Sequence, residues 1–117
     1  MRTTVIKLGS KEADKLGMPK DLFQAAIAFD SRPRMFYITL CVPVDGKKEE
    51  AFANMLDTCD KIHTAVTINA SDGILRTMAT QRGWKEEQDM AGTITVTNAT
   101  SHGRGDLLKL LWQQPDQ

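Results

Sequence analysis

The sequence carries no net charge: fifteen Lys and Arg are balanced by fifteen Asp and Glu. A balanced chain has no broad field to draw it to nucleic acid or to an anionic membrane, so neither is expected as a partner. Cysteine and histidine are scarce, two of each. Cys41, Cys59, His63 and His102 do not fall into the close spacing of a metal-binding motif, and no metal site is expected. Long hydrophobic runs are lacking as well. No stretch approaches the ~20 apolar residues of a membrane span, and the opening MRTTVIKLGS has no apolar core of a signal peptide. The expected location is therefore the cytoplasm.

What is present is the composition of an ordinary globular protein, 41% hydrophobic and 26% charged in 117 residues. That length suits one core and hardly two. The reading is a single α/β domain over residues 1–104, followed by an apolar C-terminal segment and polar tail over 105–117. Residues 1–8 are β-prone. Ser10 is placed to cap a short helix through Leu16, with Gly17 as its stop. Pro19 suits the first turn of a second helix, in which Leu22, Phe23, Ala26 and Ile27 form one stripe. Pro33, between Arg32 and Arg34, ends it.

Phe36 to Val42 is nearly continuous in apolar character, which predicts a central strand covered on both faces. The longest helix follows, from about Lys47 to His63, with Ala51, Phe52, Met55, Leu56, Cys59 and Ile62 on one side. Thr64 to Ile68 reads as a second buried strand. Ser71 or Asp72 then caps a helix carrying Ile74, Leu75, Met78 and Ala79, which Gly83 stops. Thr93 to Thr97 alternates, as a strand with one wet face does. A long helix between the first two of these strands makes them a parallel pair. The fold class is thus a small mixed sheet with a central parallel pair and packed helices.

From Met35 to about Thr97 this order resembles the C-terminal half of the GNAT acetyltransferase fold. The segment Asn69 to Glu87 carries the likeness most clearly: a strand ending at Asn, a short helix, and a stop at the pair Gly83-Trp84. The same order is similar to small acetyltransferase-like proteins of tailed phages, which would place the protein in a virion or in an infected cell. The resemblance implies acetyl-CoA as cofactor, its pyrophosphate held on backbone N–H groups at the start of the long helix by a glycine-rich loop. The matching segment here is Val44 to Ala51. It has one glycine, Gly46, and Glu49 and Glu50 stand in the first turn, where they suit the helix dipole but repel a pyrophosphate. Lys47 and Lys48 offset that in part. The general acid of many members is a tyrosine five residues before the aromatic of the Gly-aromatic pair. Ala79 occupies that position and has no proton to give. Tyr37 belongs to the central strand.

Other candidates have plainer readings. Cys59 and His63 are one helical turn apart, but Cys59 lies on the apolar face and reads as a buried, inert thiol. The spacing of Cys41 and Cys59 neither demands nor forbids a disulfide. His63 suits a helix C-terminus. Glu49, Glu50, Asp57 and Asp60 read as a solvated face with Lys47, Lys48 and Lys61. Arg104-Gly105-Asp106 and the sequon Asn98-Ala99-Thr100 are short enough to arise by chance.

The C-terminal segment is unusual. Leu107, Leu108, Leu110, Leu111 and Trp112 place five large apolar side chains in six residues after a polar linker. Such a segment either folds back on the domain or docks on a partner chain or a second copy. The expectation is a non-catalytic protein-binding or assembly module, with no catalytic residue, no cofactor and no metal, and these five residues as its contact. The alternative is a divergent acyl-CoA-dependent N-acetyltransferase holding acetyl-CoA near Gly46, Lys47 and Lys48.

Overall fold

The computed structural model of the chain describes residues 4–31 and 35–98. Its elements in chain order are β1 (Thr4–Lys7), α1 (Lys11–Lys15), β2 (Phe23–Ser31), β3 (Met35–Pro43), α2 (Lys48–Lys61), β4 (Ala65–Asn69), α3 (Gly73–Gln81), β5 (Lys85–Gln88) and β6 (Ile94–Thr97). The six strands form one mixed sheet in the order β1-β2-β3-β4-β6-β5. Only β3 and β4 run parallel, joined by α2; the other neighbouring pairs are antiparallel.

Local sequence explains most boundaries. Ser10 caps α1, its hydroxyl accepting from the Ala13 N–H at 3.1 Å. Gly17 follows with φ +84. A Cβ there would lie 2.8 Å from backbone of α2, so glycine is what lets the α1 turn approach that helix. Asp72 rather than Ser71 caps α3, its carboxylate accepting from the N–H of Ile74 at 2.8 Å.

The helix expected after Pro19 does not form. Pro19 opens a turn, its carbonyl accepting from the N–H groups of Leu22 and Phe23, and β2 runs from there. The apolar spacing at 22, 23, 26 and 27 fits a helical stripe, yet a strand with a bulge satisfies it too. A register shift around Gln24 turns Phe23, Ala26 and Ala28 to the core and Ile27 and Phe29 to the opposite face. Pairing on both sides, with β1 and β3, overrides the helical preference of the alanines.

The three helices form one layer on one side of the sheet. The Asn54 side-chain amide donates to the Gly17 carbonyl, tying α2 to the end of α1. Arg82 pairs with Asp57 at 2.6 Å, tying the end of α3 to α2. Between helices and sheet lies one apolar core that includes Phe23, Ile38, Phe52, Met55, Leu56 and Ile68. Cys59 is part of it and is fully buried; both cysteines are free thiols.

β3 is central, as expected, but it is not covered on both faces. Leu40 and Val42 are 40% and 36% exposed. The cause is a second irregularity. Ile27 faces Leu40 and Ala28 faces Ile38, so Thr39 is an extra residue on β3. Before it Phe36 and Ile38 point to the helices; after it Cys41 does, and Leu40 and Val42 point away. β5 has no counterpart among the strands expected from sequence. It is fully exposed and charged, and it is held as an edge strand by pairing with β6. Among the described residues, no helix is long and apolar enough to cross a membrane.

Candidate functional site

The bulge at Thr39 shapes the site. β3 and β4 pair in register only from Met35–Ala65 to Ile38–Ile68. Beyond Ile38, β3 continues beside β2 to Pro43, while β4 stays with β6 through Asn69. The two parallel strands therefore part at their carboxyl ends, where ligands settle in open α/β sheets. A cleft of about 550 Å³ fills the gap. Its walls are residues 39–46 on one side and Asn69, Ser71 and Asp72 on the other, with the core residues Phe52 and Leu75 also in its lining. Along Thr39–Pro43, β3 has a strand partner on the β2 side only, among the described residues.

The first turn of α2 meets this cleft. Gly46 adopts φ +82 in the approach and lines the wall, as does Lys48. The Lys48 ammonium lies 2.9 Å from the Asp72 carboxylate, closing an ion pair across the mouth. That hydrogen bond, with those from the N–H groups of Ile74 and Leu75, holds the Asp72 carboxyl below the usual range. Lys47 is turned elsewhere, its Nζ donating to the Asp21 carbonyl at 3.3 Å. Of the three residues expected near a cofactor, Gly46 and Lys48 thus line the cleft and Lys47 does not.

The carboxylates sort differently from the sequence expectation. Glu49 and Glu50 do stand in the first turn of α2, exposed, but neither lines the cleft. The acids that do are Asp45 and Asp72. Nor do all four helix acids form a solvated face. Asp60 is half-buried and accepts from the Trp84 indole N–H at 3.1 Å, and Asp57 takes the guanidinium of Arg82.

Cys41 contributes the thiol of the cleft wall, within the apolar run of β3. Burial, and then the negative charge of Asp72, push its thiol up to about 12. At neutral pH it is a thiol and not a thiolate, which removes its nucleophilicity. Burial raises Cys59 further, with Asp60 and Cys41 adding to it. Cys59 donates to the Leu16 carbonyl at 3.5 Å, toward α1. His63 lies just past α2, exposed, with φ +54. Ala79, where the resemblance would put a proton donor, is wholly buried in α3, and its carbonyl caps the Trp84 N–H. Tyr37 lies on the face of β3 turned away from the helices, paired across to Phe29.

Asn98, first residue of the chance sequon, is fully buried. Its side chain accepts from the Val66 N–H and donates to the Thr64 carbonyl, both at 2.8 Å. Such an amide has no room for a glycan. Arg32, Arg34, His102, the Arg104-Gly105-Asp106 tripeptide and the contact residues Leu107, Leu108, Leu110, Leu111 and Trp112 lie outside the described residues.

Comparison with protein-family models, with curated proteins and with solved structures gives no match to this chain.

Proposed function

We propose that this domain is a non-catalytic binding module that takes an extended polypeptide segment of a partner protein into the cleft between β3 and β4. The observation that carries this reading is the stretch Thr39–Pro43, which among the described residues is paired on one side and lines the cleft with the other. An unpaired strand edge recognises another strand through main-chain hydrogen bonds, and adjacent pockets read its side chains. The chemistry of the walls points the same way. Lys48 is already engaged by Asp72, Asp72 is held ionised, and Cys41 is held protonated. Each group is set for contact rather than for proton or acyl transfer.

The second reading is the divergent acyl-CoA-dependent transferase, favoured by the position of the cleft at the carboxyl ends of the parallel pair and beside the start of α2. A pyrophosphate there would have to compete with Asp72 for Lys48 and lie near Asp45.

Two measurements separate them. Ligands that bind only the native state raise the melting temperature. Excess acetyl-CoA should leave Tm unchanged; a clear rise would replace the first reading by the second. Selection of displayed peptides on the full chain should enrich extended sequences whose binding shifts the amide resonances of Thr39 to Val42. Binders that leave those resonances unmoved would refute the strand-edge site.

A further inference from the structure

The face of the sheet opposite the helices is divided by chemistry. Cross-strand partners on it run Val5–Phe29–Tyr37 and Lys7–Ile27–Leu40 over β1, β2 and β3, then Thr67–Thr97 and Asn69–Thr95 over β4 and β6. The first half is apolar except for Lys7 at its β1 edge, and the second is polar, with Thr67, Thr97, Asn69 and Thr95. No described helix lies over either half, and Val5, Leu40 and Val42 are 50%, 40% and 36% exposed. An antiparallel sheet that keeps one face wet alternates apolar with polar residues, as the threonine half does. The β1–β3 half does not follow that rule, and contiguous exposed apolar patches mark contact surfaces.

The geometry points to the chain's own residues 107–112 as the occupant of this apolar half, docked within the same molecule. Three observations carry it. First, the chain passes beyond the described residues at Asn98, which is pinned against β4 at the β6 end of the threonine half. Second, shielding on this face is greatest near that point: Ala65 and Thr97 are 1% and 3% exposed, against the values farther across. Third, the order of chemistry along the remaining chain matches the order across the face. Residues 99–106 carry no large apolar side chain, only Ala99, two glycines and polar residues, and they precede Leu107, Leu108, Leu110, Leu111 and Trp112. A polar linker over threonines, followed by an apolar segment over Phe29, Tyr37 and Leu40, buries like with like. The reach suffices: eight extended residues span roughly 26 Å, and three strand spacings from β6 to β2 need only about 14 Å.

The occupant is tested by labelling the full chain with 5-fluorotryptophan, which gives one 19F resonance for Trp84 and one for Trp112, assigned with Trp112→Phe. Light scattering on the same samples reports the oligomeric state. The expected result is a Trp112 resonance shielded from solvent in a monomer at all concentrations. Val5→Asp and Leu40→Asp should each expose Trp112 while leaving the buried Trp84 resonance in place. A Trp112 exposed in the monomer overturns the inference. Shielding seen only where a dimer forms gives the face to a second copy instead, and shielding indifferent to both substitutions moves the segment elsewhere; either result also overturns it. Should either variant lose the Trp84 resonance, wild-type proteolysis decides. Trypsin should cut after Lys109 at least about tenfold more slowly in the full chain than in a synthetic peptide of residues 99–117, because cleavage needs the docked segment to open. Equal rates would overturn the inference.

Discussion

The parallel pair β3–β4 has two ends, and they are built in opposite ways. At the amino end β3 and β4 pair in register from Met35–Ala65 to Ile38–Ile68, and β4 is fastened on its other side to β6 and Asn98. Asn98 continues the β4–β6 ladder with its side chain, Thr97 donates to the Val66 carbonyl at 3.1 Å, and the hydroxyl of Thr67 reaches that of Thr97 at 3.2 Å. Nearby α2 and α3 are locked by Trp84 on Asp60 and Arg82 on Asp57. At the carboxyl end the strands separate, and a single ion pair with side chains 47% and 32% exposed spans the gap. Buried polar groups are costly to leave unpaired, while exposed ion pairs contribute little. One end is therefore made for stability, and the other is free to be used.

The largest effect should come from breaking the closed end. Asn98→Ala leaves the Val66 N–H and the Thr64 carbonyl without the Asn98 amide that now satisfies them. The buried Val66 N–H and the part-buried Thr64 carbonyl cost about 3 kcal/mol together, which lowers Tm by roughly 10 °C or more in a domain of this size. Thermal unfolding followed by circular dichroism measures it. A loss no greater than that of an ordinary surface substitution would mean that the amide is replaceable and the two ends differ less than their geometry implies.

Trp84→Phe probes the same end with a smaller change. The ring stays apolar, but the hydrogen bond to Asp60 goes and some volume with it. The expected cost is about 1–2 kcal/mol, read from the urea midpoint with an unchanged m-value.

How far these ends were visible in the sequence depends on whether local or distant contacts made them. α1, α2 and α3 were legible because their apolar stripes are local, as are the caps by Ser10 on α1 and Asp72 on α3, although Ile62 and Ile74, expected on the buried stripes, are 45% and 41% exposed. β3 and β4 were legible as short apolar runs on either side of a long helix. The apolar spacing of β2 fits a helical as well as an extended period, and only the pairing with β1 and β3 decides for the strand. β5 gave no apolar signal at all; Lys85, Glu86, Glu87 and Gln88 are a strand because β6 lies alongside. For the cleft, Gly46 and Lys48 were found from the start of α2. Its opening was not, since the extra residue at Thr39 is a matter of register. The pairing of Lys48 with Asp72 joins residues on two helices, and no spacing rule connects them. Asn98 opens a sequon, yet its buried side chain stands in for a strand partner of β4.

At the open end the effects should be smaller. Asp72→Ala removes the cap of α3 together with the ion pair. The cap accounts for about 1 kcal/mol and the exposed pair for a few tenths at most, roughly 0–0.5 kcal/mol. The expected loss in stability is thus about a third to a half of that for Asn98→Ala. An equal loss would mean that the cleft mouth is as structural as the amino end.

Asp72→Asn separates the two contributions and should have the smallest effect at neutral pH, because asparagine caps a helix about as well as aspartate. Its signature lies in the pH dependence. The Asp72 carboxyl is held below its ordinary range, first by the hydrogen bond to Lys48 and then by the N–H groups of Ile74 and Leu75. A carboxyl depressed in the folded state contributes stability that is fully present above its unfolded range and is lost as pH falls through its folded value. The small stability gap between wild type and Asp72→Asn should therefore close on acidification below the ordinary carboxylate range and stay constant above it. The substitution also frees Lys48 while keeping the helix start intact. If the cleft were an anion site masked only by Asp72, acetyl-CoA would raise the Tm of this variant and not of the wild type. If instead the site is the open edge of β3, the variant should bind the selected peptides as before and remain indifferent to acetyl-CoA.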